Sequence, residues 1–114
     1  MADDFEAHHQ ALNKAIEECV VMLRGANETL FVDWLEGDRA KIADGKTRAL
    51  QHLLSAYGGA GSINDILLED ARAQKRFGKL RSEIWKHADA MLRELDEGGY
   101  YAPKRESKRP SKPN

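Results

Sequence analysis

Apolar residues recur along most of this chain at intervals of three and four, the repeat that puts side chains on one face of a helix. From Asp3 to Arg24 the positions are Phe5, Leu12, Ile16, Cys19, Val20 and Leu23. Asp3 and Asp4 stand where negative charge complements a helix dipole, and Gly25 is placed to end the element. Asn27 reads as the N-cap of a second helix, whose stripe is Leu30, Phe31, Trp34, Leu35 and Ile42. Gly37 inside it marks either a close helix contact or a break. Asp44-Gly45 is a turn signal. A third, shorter helix is expected from Lys46 to Tyr57, with Ala49, Leu50, Leu53, Leu54 and Tyr57 facing inward.

The sequence 53–68, LLSAYGGAGSINDILL, breaks this rhythm. Gly58, Gly59 and Gly61 tolerate backbone angles closed to other residues. Either Gly58 or Gly59 is expected to be the C-cap of the third helix, in the left-handed region. Ser62-Ile63-Asn64-Asp65 has the S-x-x-D form of a capping box, so a new helical turn should begin at Ser62. The contiguous Ile66, Leu67 and Leu68 imply burial on several sides or a bend. The final helix, from Glu69 to Leu95, has the cleanest stripe: Ala73, Phe77, Leu80, Ile84, Ala88, Met91 and Leu95. Its other face carries Arg72, Lys75, Lys79, Glu83 and Arg93, and Gly98-Gly99 should stop it. These pieces predict an all-α fold, an antiparallel bundle of about four helices with a Gly-rich corner before the last. Residues 1–97 would form the single bundle domain, with Trp34, Trp85, Phe31 and Phe77 as its larger core or interface side chains. Residues 98–114, with all three prolines among lysines and serines, read as a disordered tail.

A length of 114 residues suits one domain with one core. Charge is uneven: the segment from Glu97 onward carries five basic and two acidic residues, a net +3, leaving −4 on the body against a total of −1. An acidic body argues against nucleic acid as the main partner, beyond weak contact through the basic tail. The one cysteine, Cys19, lies in an apolar stripe and implies no oxidising compartment. The start, MADDFEAHH, lacks the basic-then-apolar pattern of a secretory signal, and no apolar run is long enough for a bilayer, so a cytoplasmic protein with no membrane contact is expected.

Chemistry is sparsely marked. The glycine loop lacks the lysine and preceding strand of a P-loop. A helix start beside glycines still offers N–H groups to an anion, although Asp65 already brings negative charge there. Glu6-x-x-His9 has the spacing found in one helix of a di-iron bundle, but no second such motif follows, and no metal or other cofactor is expected. His8, His9, His52 and His87 read as surface or partly buried histidines. Cys19 lacks the electropositive setting of a reactive thiol, and Ser55 and Ser62 lack a nucleophile elbow. Adjacent acids such as Glu17-Glu18 point to different helix faces. No catalytic residues are assigned.

The segment Phe31-Val32-Asp33-Trp34-Leu35-Glu36-Gly37-Asp38, with the loop Leu53 to Asp65, resembles a family of small, functionally uncharacterised bacterial helical proteins. Those carry a W-[LI]-x-x-D segment and an L-x-x-[YF]-G-G-M-G-S-[LF]-N-D loop. The likeness runs from about Thr29 to Leu95 and includes Leu80-Arg81-Ser82-Glu83-Ile84-Trp85, with Ala60 where the pattern has methionine. It implies a helical bacterial protein and leaves mechanism open. Such small proteins are similar in build to immunity proteins that neutralise toxins. The expected function is therefore a non-catalytic protein-binding module, an immunity-type inhibitor of a toxin domain. Its contact region would be Trp34, Asp38, Tyr57, Gly58, Gly59, Gly61, Ser62, Asn64 and Asp65. The alternatives are a small-molecule or anion sensor at the Gly58–Asp65 corner, and a homodimeric regulatory module using Trp85.

Overall fold

A computed structural model describes residues 2–58 and 61–97. Gly59, Ala60, the Gly98-Gly99 stop signal and the basic tail lie outside the described residues. The architecture is an all-α bundle of four helices: α1 (Ala2–Gly25), α2 (Thr29–Ala43), α3 (Ala49–Leu54) and α4 (Ala71–Glu97). Single 3-10 turns at Ser55–Tyr57 and Ile63–Asp65 lie between α3 and α4. No strand occurs among the described residues.

The long helices run antiparallel. Early α1 meets late α4 at His8 and His87, while late α1 meets early α4 at Glu18 and Arg76. Arg39 on α2 reaches Glu17, and Arg24 reaches Glu36, so α2 returns along α1. The amphipathic stripes meet in one core, with Ile16, Cys19, Leu23, Leu35, Leu50, Leu53, Phe77, Ile84 and Met91 fully enclosed. Removing these apolar surfaces from water is the main favourable contribution to the fold.

Several sequence expectations are corrected. Asn27 does not cap α2. It ends α1 in the left-handed region at φ 62°, where its N–H donates to Arg24 O and the N–H of Glu28 donates to Leu23 O, a Schellman arrangement. Gly25 therefore stays helical. Gly45 at φ 84° ends α2 by the same device, with bonds from Gly45 to Ile42 and from Lys46 to Lys41. Gly37 neither breaks α2 nor admits a neighbouring helix, since a Cβ there would meet nothing within 4 Å. Leu30 leaves the α2 stripe, 64% exposed, and Val32 takes a buried place. Leu67 is 82% exposed although its neighbour Ile66 is buried. Ile66 is extended at φ −73° and ψ 129°, so the chain leaves the helical turn there and the next side chain points the other way. Gln74 clasps the 66–68 segment, accepting from Leu68 N–H and donating to Ile66 O. The last helix starts at Ala71, capped by Asp70, whose carboxylate accepts from Ala73 N–H at 2.8 Å.

Candidate functional site

The expected contact residues fall into two clusters, one where α2 meets His52 of α3 and one beyond Tyr57. The first joins α2 to α3. Phe31, Trp34 and Asp38 follow one another along α2 at helical spacing, and His52 faces them from α3. Phe31 stacks on Trp34 with ring centroids 5.7 Å apart, and Trp34 stacks on His52 at 4.6 Å with an interplanar angle of 16°. The indole N–H of Trp34 donates to the His52 carbonyl at 3.1 Å, and Ser55 Oγ donates to the same oxygen. His52 Nδ1 lies 2.9 and 2.8 Å from the two carboxylate oxygens of Asp38.

This ladder runs from inside to outside. Phe31 is buried, Trp34 half-buried, and the His52 side chain 57% exposed. Asp38 sits behind it, only 2% exposed. Burial pushes its carboxyl above the usual carboxylate range, and the hydrogen bond from His52 works in the opposite direction. In its ionised form the Asp38 carboxylate only accepts, so in that form Nδ1 is the donor of this bond, and a neutral His52 ring then carries its lone pair on Nε2. The sequence pattern does not mark His52 as a site residue. The available signal was Asp38, which occupies the next slot of the stripe Phe31, Leu35, Ile42 and so had to be buried with a partner.

The second cluster is the glycine corner. Gly58 is extended at φ −104°, ψ 148°, so it is no left-handed cap, and among the described glycines of the loop Gly61 has a positive φ, 74°. Ser62 is buried and does cap the next turn, accepting from Asn64 N–H at 3.1 Å. The box is not closed in the expected way: Asp65 reaches past Ser62 and accepts from Gly61 N–H at 2.8 Å. The helical start is a single 3-10 turn, because the chain becomes extended at Ile66.

Both ends of the Asn64 amide are engaged within the chain. Its NH2 donates to Tyr57 O at 3.4 Å, and its oxygen accepts from Arg81 at 3.0 Å. The Tyr57 hydroxyl donates to Arg81 O at 2.6 Å, and burial pushes the phenol upward in pKa. Arg81 also lies over the Phe77 ring, 4.7 Å from its centroid. Gly58, Gly61, Ser62, Asn64, Asp65 and Tyr57 thus form a corner bolted to α4 through Arg81, an arginine outside the expected set. Asp65 holds a backbone donor that an incoming anion would otherwise use.

Residues 24–75 match DUF6966, a domain of unknown function. The match to DUF6966 takes in α2, α3, both 3-10 turns and the first turn of α4, hence both clusters except Arg81. No curated protein and no solved structure matches the chain.

The remaining titratable groups separate into tied and enclosed ones. His8 Nδ1 and His87 Nδ1 share a hydrogen bond at 2.8 Å between α1 and α4, and Glu83 takes the other nitrogen of His87 at 3.1 Å. Nε2 of His9 is buried. Desolvation raises the Cys19 thiol to about 12, the mark of an inert core cysteine. Among the described residues no group of three or more His, Cys, Asp or Glu side chains is placed to hold a metal ion. Among them, too, no helix is long and apolar enough to cross a membrane.

Proposed function

We propose that this protein is a non-catalytic binding module of the immunity type, cytoplasmic and bacterial, that captures a basic toxin domain through the α2–α3 face. One observation carries the reading. Leu30, Trp34 and Gly37 share a face of α2 by their spacing of four and three. Leu30 is 64% exposed, Trp34 supports the exposed His52 ring, and a Cβ at Gly37 would meet no other part of the described residues within 4 Å beyond its own helix. An aliphatic anchor, an aromatic ladder and a side-chain-free strip suit close approach by another protein, and aromatic anchors dominate binding energy in such patches. The net −4 of the body favours a basic partner, because complementary charge speeds association and suppresses wrong pairings. Asp38 supports this face from behind. Tyr57, Ser62, Asn64 and Asp65 hold the shape of the adjoining corner.

The test is affinity capture from native lysate with the tagged full chain, run beside Gly37→Arg and Trp34→Ala. Arginine at position 37 would project into open space, so it blocks the face without disturbing the fold. The expected result is one stoichiometric partner of basic net charge, lost with both variants, whose association slows as salt is added. A partner retained by both variants, or one of acidic charge, overturns the reading.

A further inference from the structure

His52 is the histidine of this chain that combines a carboxylate on one ring nitrogen with an exposed side chain. Asp38 holds Nδ1 at 2.8 Å, Trp34 fixes the ring plane from below, and the side chain is 57% exposed. The other three histidines differ. His87 has both nitrogens engaged, His8 is tied to it through Nδ1, and His9 has Nε2 enclosed. Nucleophilic attack by an imidazole requires a neutral ring with a free lone pair, and clamping the N–H on one side directs that lone pair to the other. The nearby hydroxyl of Ser55 is turned away, donating to the His52 carbonyl, and the Cys19 thiol is in the core. Among the described residues of this cluster no hydroxyl or thiol is placed for His52 to activate, which leaves the imidazole nitrogen itself as the reacting atom.

We propose that His52 Nε2 is a phosphoryl-acceptor site, served by a donor of the acyl phosphate or phosphoramidate class. The Nε2 lone pair forms a bond to phosphorus. The bond from phosphorus to the donor's leaving group breaks, and its electron pair departs with that group. Nδ1 keeps its proton, so the ring becomes a phosphorylated imidazolium. Its positive charge forms directly against the Asp38 carboxylate, which makes Asp38 a positioning residue that also stabilises the product electrostatically. Arg48 is exposed and stands one helical turn before His52, a spacing of four that puts a cation on the same helix face within reach of phosphoryl oxygens. The α2–α3 face would then carry a dianionic group. The site stands on the Asp38–His52 geometry and does not depend on the toxin-binding reading.

The experiment uses potassium phosphoramidate on the full chain at neutral pH, followed by intact mass and by tandem mass spectrometry that locates the modified histidine. The expected result is one acid-labile, base-stable phosphoryl group at His52, ahead of His8, His9 and His87. Asp38→Asn should slow it roughly tenfold or more, the low end of what a histidine-orienting carboxylate contributes. Modification spread evenly over the four histidines, or an unmodified His52, overturns the proposal. So does the same rate and selectivity at His52 in the urea-unfolded chain. This last comparison decides the matter even where Asp38→Asn does not fold.

Discussion

Asp38 keeps an ionisable carboxyl inside a helical core, and this has a definite pH signature. Its folded pKa is raised above the ordinary 3.8, chiefly by desolvation. The folded state therefore holds this proton more tightly than the unfolded state does. The associated stability is present on the acidic side and is lost as pH rises through the interval above 3.8. Asp38→Asn removes that titration. Denaturant unfolding at a series of pH values should show the wild-type stability falling relative to the variant as pH climbs out of that interval. A wild-type curve that instead gains on the variant over the same interval would mean that the hydrogen bond from His52 outweighs burial. The residue was legible in the sequence as a polar side chain in an apolar slot. Its partner was not, because His52 lies 14 positions away on another helix and only their packing brings them together.

At the scale of elements, periodicity located all four helices and misplaced several of their ends. Ends depend on local backbone angles that more than one residue can supply. Glycine is the usual left-handed terminator, yet Asn27 takes that role at the end of α1, and Gly25 two residues earlier stays helical. At the end of α2 the expected glycine, Gly45, does take it. Gly37 shows the opposite case, an interior helical glycine with no packing reason among the described residues. Gly37→Ala should stabilise the protein by about 1 kcal/mol, the difference in helix propensity, read as a higher denaturant midpoint at unchanged slope. A loss of stability would show that the glycine serves a conformation other than the continuous α2.

At the scale of the molecule, the long antiparallel pair α1 and α4 forms the frame on which α2 and α3 are laid. Phe77 is fully buried at the centre of the α4 stripe, with Arg81 on its ring. Phe77→Ala should cost about 3–5 kcal/mol, from lost transfer free energy and the cavity left behind. Leu67→Ala, at a position 82% exposed, should stay within about 0.5 kcal/mol. Thermal or denaturant unfolding of the two variants separates them. Equal losses would place Leu67 in an interface that the isolated chain does not show. The sequence alone puts both residues in apolar runs, and their burial differs by tertiary placement.

The recurrence of apolar residues at intervals of three and four by itself determined that this protein is a helical bundle and, Leu30 and Val32 aside, which stripes of its helices are buried, while the glycines marked the turns at Gly45 and near Gly61. Those properties follow from local spacing and backbone preference, both written within a few residues. Only the tertiary structure decided that Asp38 meets His52, that Asn64 and Tyr57 are tied to Arg81, and that Leu30 and Gly37 are left bare beside the Trp34 ladder. Each of those depends on where distant segments cross, and crossings are set by how whole helices pack.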